Sequence, residues 1–117
     1  MKTRHGSLES SILNALWGLE KDGIFTNSVK DVYDILAKNE DEKRAYTTLK
    51  TVMDRLTEKK VLMRFKQGKK FFYRTAYSND EMIVNSLNLI AERYCNGNFD
   101  RLSAIIDEIK QKEYITA

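Results

Sequence analysis

The chain has 117 residues, of which 42% are hydrophobic and 32% are charged, a balance that fits one small domain with an appended segment. No apolar run reaches the roughly 18 residues of a membrane span, and the basic N-terminus leads into polar sequence, so we expect a cytoplasmic protein that does not enter a membrane. One cysteine, Cys95, and one histidine, His5, exclude an internal disulfide and leave metal binding without support, so we expect no cofactor.

The positive charge is concentrated in the middle of the chain. The formal net charge is only +3, but residues 43–74 contain eleven Lys or Arg and two Asp or Glu, whereas the segments on either side are each net negative. A merely solvated surface usually mixes both signs. The segregation therefore favours a nucleic-acid-binding surface formed by residues 43–74.

The first part of the chain predicts two helices separated by a short strand. Ser7 is a suitable N-cap for a helix whose apolar residues recur at helical spacing, and Gly23 is a suitable C-terminal stop. The apolar pair 24–25 is too short for a helix and predicts a brief strand. Ser28 and Asp31 then form a helix start signal.

The middle of the chain predicts a third helix and a hairpin. From Ala45 onward a buried helical face is formed by Leu49, Val52, Met53 and Leu56. After Lys60 the period changes to two, with a turn at residues 67–69. In the first strand Val61, Met63 and Phe65 alternate with Leu62, Arg64 and Lys66, and in the second Phe71, Tyr73 and Thr75 alternate with Phe72 and Arg74. These residues predict a basic β-hairpin.

The last part of the chain predicts two helices separated by a break at residues 96–98. Ser78 and Glu81 form the start signal of the first of them. A chain of this size would struggle to bury the apolar stripe along both helices, so we expect a C2 homodimer joined through it. The expected interface residues are Ile83, Leu87, Ile90, Tyr94, Leu102, Ile106 and Ile109.

The order of these elements is that of a winged helix-turn-helix. We therefore expect a mainly α fold with a small β-sheet, in which residues 1–76 form a winged-helix DNA-binding domain and residues 77–117 a helical dimerisation region. A helix fits the major groove of DNA, and a basic hairpin fits a flanking phosphate strand. The expected DNA contacts are Tyr46, Thr47, Thr48, Lys50, Thr51 and Arg55 on the third helix and Lys66, Lys69 and Lys70 on the hairpin. Arg55 has a structural alternative, an ion pair with Asp54 or Glu58.

Several motifs resemble those of the penicillinase-repressor and copper-transport-repressor family of winged-helix transcriptional regulators. They are Gly6-Ser7-Leu8-Glu9, Leu16-Trp17, Tyr46-Thr47-Thr48-Leu49-Lys50-Thr51, Arg55-Leu56, the lysine pair 59–60 and Lys69-Lys70-Phe71-Phe72-Tyr73. The resemblance covers residues 6–76 well and the remainder loosely. It implies a bacterial dimer that binds inverted-repeat operators and represses transcription, with the C-terminal helices forming the dimer interface.

The chain departs from this family at three places. Lys60 stands where the family commonly has glycine, so either a lysine adopts a left-handed helix cap or the helix ends differently. Cys95 stands alone where copper-responsive members have paired cysteines, which argues against copper sensing. Antibiotic-responsive members are cleaved at an Asn-Phe bond that would align near residues 105–106, whereas the Asn-Phe pair of this chain is at 98–99. The sequence therefore leaves three possible inducing signals, namely an upstream protease, a ligand and oxidation of Cys95.

Three other functions compete with binding to double-stranded DNA. An enzyme is disfavoured because the sequence has no glycine-rich phosphate loop, no nucleophile motif and a single histidine. A winged helix that serves as a protein-protein interaction module would use the same basic surface against an acidic partner, and its binding to random DNA would not fall with salt. RNA binding is disfavoured because the aromatic run 71–73 resembles a packed strand rather than a stacking platform. The sequence names neither the operator nor the regulated genes.

Overall fold

A computed structural model describes residues 7–116, and the described part contains five helices and one two-stranded antiparallel sheet. The elements are α1 (Leu8–Lys21), α2 (Val29–Leu36), α3 (Tyr46–Glu58), β1 (Leu62–Gln67), β2 (Lys70–Thr75), α4 (Asn79–Tyr94) and α5 (Phe99–Thr116). The chain divides into two compact units, the first ending at Ser78 and the second beginning at Asn79, two residues after the boundary expected from the sequence. His5 and Gly6 lie outside the described residues. The mainly α fold with a small sheet is confirmed.

The first two helices begin where the sequence predicts. Ser7 caps α1 because its hydroxyl oxygen accepts a hydrogen bond from the backbone N–H of Ser10 at 3.2 Å. At α2 the Ser28 hydroxyl accepts from the Asp31 N–H at 3.2 Å, while the Asp31 carboxylate accepts from the Ser28 N–H at 2.8 Å. Each bond satisfies a backbone donor that the helix itself leaves without a partner.

The core of the first unit is assembled from all three helices and both strands. Its largest fully buried side chains are Ile12, Leu16, Val32, Leu49, Met53, Leu56, Leu62 and Tyr73. Burying one large aliphatic side chain stabilises a fold by roughly 1.5–3 kcal/mol, so this set accounts for much of the driving force of folding. The core also fixes the rotation of α3 about its own axis, because four residues of this helix are buried, namely Leu49, Val52, Met53 and Leu56.

The prediction of a short strand at residues 24–25 is wrong. Ile24 and Phe25 are 45% and 41% exposed, and the extra bridge to the sheet is made by Asn27, whose carbonyl accepts from the Tyr73 N–H at 2.7 Å. The reason lies in the end of α1, where Gly23 has a φ of +85° and the Ile24 N–H turns back to the Leu19 carbonyl at 3.0 Å. That donor is therefore used by the helix cap and does not enter a strand ladder.

The hairpin turn falls where the sequence predicts, with Gln67 paired to Lys70 and Gly68 at a φ of +65°. The register places Leu62 opposite Thr75, and both are buried, whereas Met63 is 54% exposed. The buried residue of β1 is therefore Leu62, which alternates with Met63 and lies on the same side of the strand as the basic residues Arg64 and Lys66. Burial against the helices decides the face, and the alternation of apolar residues along a strand does not reveal it.

Two side-chain contacts from α1 hold the hairpin in place. The Glu20 carboxylate accepts hydrogen bonds from both the backbone N–H of Thr75 at 2.8 Å and its hydroxyl at 2.5 Å. The indole N–H of Trp17 donates to the carbonyl of Tyr77 at 2.9 Å. These bonds fix the end of β2 against α1, which in turn positions the hairpin relative to the helices.

The end of α3 resolves the alternative that the sequence left open at Lys60. This residue has a φ of +66°, so a lysine does occupy the left-handed cap position. Its N–H donates to the Thr57 carbonyl at 3.0 Å, and the Val61 N–H donates to the Leu56 carbonyl at 2.9 Å. This pair of bonds is the Schellman pattern, which usually contains glycine at this position.

Lys60→Gly is expected to raise the free energy of unfolding by about 0.5–1 kcal/mol, because glycine adopts a positive φ without the steric cost of a Cβ. Gly23→Ala provides the reciprocal variant, since Gly23 occupies the same position in α1 at a φ of +85°. It is expected to lower the free energy of unfolding by about 1 kcal/mol. Urea unfolding followed by circular dichroism measures both. A loss of stability in Lys60→Gly would contradict this description of the cap.

In the second unit, α4 and α5 are separated by the break that the sequence predicts at residues 96–98. Asn96 and Gly97 both have positive φ, and the Asn98 side chain accepts a hydrogen bond from the Asp100 N–H at 2.9 Å at the start of α5. A small cluster holds the unit together, formed by Ala91, Cys95 and Leu102 with Leu87 packed against it. In the part of the chain that the structure describes, no helix is both long and apolar enough to cross a membrane.

Candidate nucleic-acid interface

The polar side of α3 forms a continuous exposed surface, which we call the reading face. It consists of Tyr46, Thr47, Thr48, Lys50, Thr51 and Arg55, all of which are exposed. It faces outward because the opposite side of the helix is buried in the core. The N-cap residue, Ala45, has no side chain that accepts a hydrogen bond, so the first backbone N–H groups of α3 are not capped by it.

The reading-face side chains differ in how they are held. The Thr51 hydroxyl donates to the Thr47 carbonyl at 2.9 Å, so its proton is already engaged while its lone pairs are available. Tyr46 packs edge-on against Tyr33, with ring centroids 5.8 Å apart. Arg55 has no ion pair within residues 7–116, so the structural alternative for it, pairing with a neighbouring carboxylate, does not occur there.

One carboxylate, that of Asp54, joins α3 to both strands of the hairpin. It accepts hydrogen bonds from Lys50 Nζ at 2.8 Å, from Arg64 Nη1 at 3.2 Å and from the Tyr73 hydroxyl at 2.7 Å. The contacts with Arg64 and Tyr73 were not predicted from the sequence. No short-range spacing reveals them, since these residues lie 10 and 19 positions away and meet Asp54 only because β1 and β2 fold back over α3.

The same contacts shift the pKa values of Asp54 and Tyr73. Burial on its own would raise the pKa of Asp54, but the hydrogen bonds from Lys50 and Tyr73, together with the charges of Lys50 and Arg64, outweigh it and lower that pKa. Burial and the hydrogen bond to the Asp54 carboxylate raise the pKa of Tyr73 to about 12. The charged carboxylate and the neutral phenol therefore form the stable pair at neutral pH.

Tyr73→Phe is expected to lower the free energy of unfolding at pH 7 by about 1.5–3 kcal/mol, because it removes a hydrogen bond to a charged group. The raised pKa means that folding favours the protonated phenol. This stabilisation is complete below the unfolded pKa of about 10 and is lost as the pH rises toward about 12. The difference in stability between the wild type and Tyr73→Phe should therefore narrow above pH 10.

Urea unfolding at a series of pH values from 7 to 11.5 measures that difference. Tyr77→Phe is the matched control, since Tyr77 is 41% exposed, and it should leave stability unchanged. The contribution of Asp54 to stability depends on pH in the opposite direction, because its pKa is lowered in the folded state. That contribution is lost as the pH falls below the unfolded pKa of about 3.9 and through the pKa of the folded protein. A difference that stays constant up to pH 11.5 would contradict the role assigned to the Tyr73 hydroxyl.

The basic end of the hairpin, which we call the wing tip, consists of Lys66, Lys69 and Lys70. All three are exposed, and within the described residues none of them forms an ion pair. The Nζ atom of Lys66 lies 5.6 Å from the centre of the Phe71 ring. Their positive charge is therefore available to an external anion.

A cavity of about 390 Å³ in the first unit brings the reading face and the wing tip together. Tyr46 and Lys50 of the reading face and Lys70 of the wing tip all line it. The other residues expected to contact DNA do not line it, and Arg55 lies about two and a half turns further along α3 than Tyr46. The structure therefore joins the start of α3 and the start of β2 in one surface.

The seven residues expected to form a dimer interface fall into two groups. Five are exposed by 40–76%, namely Ile83, Ile90, Tyr94, Ile106 and Ile109. Leu102 is buried and Leu87 is half-buried, and both contribute to the packing of the second unit itself. Further apolar side chains that the sequence analysis did not select are also exposed, namely Val84, Leu89 and Phe99. Within residues 7–116 no three His, Cys, Asp or Glu side chains lie close enough to hold a metal ion.

The fold and this surface define the class of protein. Two packed helices, a third helix with an exposed polar face and a basic two-stranded hairpin form a winged helix-turn-helix. The model of the penicillinase repressor family matches residues 5–115, and the chain belongs to this family. The resemblance found in the sequence motifs is confirmed.

Curated relatives agree with this assignment. Two proteins named "Transcriptional regulator BlaI", from the CDC 1551 / Oshkosh and ATCC 25618 / H37Rv strains of Mycobacterium tuberculosis, are each 28% identical over 82 residues. The match covers 70% of this chain and 55% of each relative, so the chain spans about half the length of these relatives. The names of the family and of the relatives describe regulators of transcription rather than enzymes.

Proposed function

We propose that this chain is a transcriptional repressor that binds a double-stranded DNA operator as a homodimer. The observation that carries the proposal is the exposed reading face lying beside the wing tip, within the most basic third of a chain that belongs to the penicillinase repressor family. Because operator DNA lies in the cytoplasm of a bacterium, we expect the protein to act there.

The reading face has the chemistry that base recognition requires. Each base pair presents a distinct pattern of donors and acceptors in the major groove. The hydroxyls of Thr47 and Thr48 either donate or accept, and within the described residues neither has a partner. Lys50 and Arg55 supply donors for guanine edges or phosphates. Since Asp54 holds Lys50 in the free protein, that lysine must exchange its carboxylate partner for an acceptor on DNA.

The wing tip has the chemistry that phosphate contacts require. Three exposed lysines around a tight turn bring positive charge to a phosphate strand next to the groove occupied by α3. Each such contact releases condensed counterions, so it strengthens binding to any sequence and makes binding dependent on salt. We therefore assign base recognition to α3 and sequence-independent affinity to the hairpin.

The second unit is proposed to form the dimer. Five of the expected interface residues are exposed apolar side chains, and monomeric proteins rarely leave so many together on a short pair of helices. A C2 dimer buries the same patch of both copies and presents two copies of α3 to DNA. An inverted-repeat operator is the sequence that matches this symmetry.

A footprint of the purified protein on the DNA upstream of its own gene tests the proposal. Two protected half-sites related by inverted symmetry are expected, with centres separated by about 10 base pairs or a multiple of that spacing, and the site should overlap the promoter. In-vitro transcription from that promoter should fall as the site fills. Uniform weak protection, or protection of a single half-site at every protein concentration, would contradict a dimeric repressor.

A further inference from the structure

The cavity between α2, α3 and β2 is lined partly by residues that are not among the expected DNA contacts, namely Ser28, Val29, Lys30, Phe71 and Tyr73. Its volume of about 390 Å³ falls within the range of small-molecule sites, roughly 300–1,000 Å³. Three elements each contribute one lysine to it, Lys30 from α2, Lys50 from α3 and Lys70 from β2. The cavity is therefore bordered by three lysines and is large enough for a molecule with one or two rings.

Aromatic rings form the apolar part of the lining. Tyr46 and Phe71 both line the cavity and are 45% and 44% exposed. The guanidinium of Arg64 lies 4.6 Å from the centre of the Phe71 ring, and Tyr46 is held edge-on by Tyr33, so both rings are supported by neighbours. Exposed rings with fixed positions in a concave site favour a flat apolar ligand.

The charges around the cavity favour one negative group on that ligand. Lys30 is paired with Asp34 at 3.0 Å and Lys50 with Asp54 at 2.8 Å. Within the described residues Lys70 has no ion pair, so its ammonium group is available to a ligand. A carboxylate beside Lys70 would gain a charge-assisted hydrogen bond, while a neutral ligand would leave that charge without a partner.

We propose that this cavity binds a small planar aromatic monoanion of the arylcarboxylate class, and that the bound molecule excludes DNA. The second clause rests on the proposed function, because it requires that Tyr46, Lys50 and Lys70 serve both ligand and DNA. A ligand seated on these residues would occupy the start of the reading face and one lysine of the wing tip. Such a ligand is an inducing signal that needs neither proteolysis nor oxidation of Cys95.

The binding test uses 2-naphthoate as the probe, titrated into the full chain while backbone amide signals are followed by NMR. Shifts are expected for Val29, Lys50 and Phe71, because all three line the cavity. Lys70→Gln should raise the Kd of 2-naphthoate by about fivefold or more, because it removes the unpaired cation. Lys69→Gln is the matched control, since Lys69 is an adjacent exposed wing-tip lysine that does not line the cavity, and its Kd should change by less than about twofold. Equal weakening in both variants, or shifts confined to other surfaces, would overturn the proposal.

Two further probes separate the ligand classes, and DNA separates the two clauses. Neutral 2-naphthamide and inorganic phosphate should each bind at least about tenfold more weakly than 2-naphthoate, since each lacks one of the two recognised features. Phosphate that binds as tightly as 2-naphthoate would mean that the cavity holds a DNA phosphate, which overturns the proposal. With operator DNA present, 2-naphthoate should raise the apparent Kd for DNA as the cavity fills. If the apparent Kd for DNA does not change, the claim that the ligand excludes DNA is overturned. If the protein shows no specific DNA binding at all, the proposed function is overturned, but the conclusion that the cavity binds 2-naphthoate still holds.

Discussion

Ile90→Glu combined with Ile109→Glu is expected to convert the proposed homodimer into a monomer and to lower its affinity for the proposed operator by a factor on the order of 10²–10⁴. Both side chains are exposed, at 41% and 54%, so the substitutions should leave the fold of one chain intact. In a C2 interface each new carboxylate is present once from each copy. Burying these charges without a partner weakens dimerisation by several kcal/mol. The loss of affinity follows because a monomer contacts one half-site and forfeits the effective concentration that linkage provides.

Sedimentation measures the first part of this prediction. The wild type should have about twice the 13.7 kDa of one chain, and the double variant should have the mass of one. Asn85→Glu is the matched control, because Asn85 is a polar, exposed residue of α4 about 200° around the helix from Ile83. It should leave both mass and affinity unchanged. A wild-type monomer at micromolar concentration that binds its operator with full affinity would contradict the assignment of the interface.

The second prediction with a large effect distinguishes sequence-specific DNA binding from binding to DNA of any sequence. Replacing Thr47, Thr48 and Thr51 together by alanine should lower operator affinity by roughly a hundredfold and leave affinity for scrambled DNA within about twofold, because base contacts carry the discrimination. Alanine has the higher helix propensity, so α3 should remain folded. Fluorescence anisotropy on both duplexes measures the two affinities, and circular dichroism verifies the helix.

Replacing Lys66, Lys69 and Lys70 together by alanine should have the opposite pattern. Both affinities should fall by similar factors, because a phosphate contact contributes equally on any sequence. A dimer that loses three contacts in each half-site should also show a slope of log K against log salt that is smaller by about five. If the threonine variant loses both affinities equally while the lysine variant loses only the specific one, the two roles are reversed and the docking described here is wrong.

Local signals in the sequence predicted most of the first unit. Ser7 and Ser28 cap helices through bonds that reach only three residues, and Gly68 supports a turn of two residues, so each is determined by its neighbours along the chain. The buried face of α3 follows from helical periodicity for the same reason. The left-handed conformation of Lys60 was one of two alternatives and required the structure to decide it.

Features that depend on packing between elements were not predicted. The sheet bridge is formed by Asn27 instead of residues 24–25, because the cap of α1 uses the N–H of Ile24. The bonds from Arg64 and Tyr73 to Asp54, and the cavity beside α3, arise only when β1 and β2 fold back over that helix. In the second unit the sequence indicated apolar residues but not which of them the unit buries itself, as Leu102 illustrates. Spacing along one helix does not contain that information.

The central claim is that this chain recognises a DNA sequence through α3, and a salt titration of the wild type tests it most directly. Affinities for the footprinted operator and for a scrambled duplex of the same length are measured between 50 and 300 mM salt. The account predicts operator binding that is about 10³-fold tighter or more, with both affinities falling linearly in log K against log salt. Equal affinities, or binding that does not weaken with salt, would contradict it and would favour a winged helix that contacts another protein.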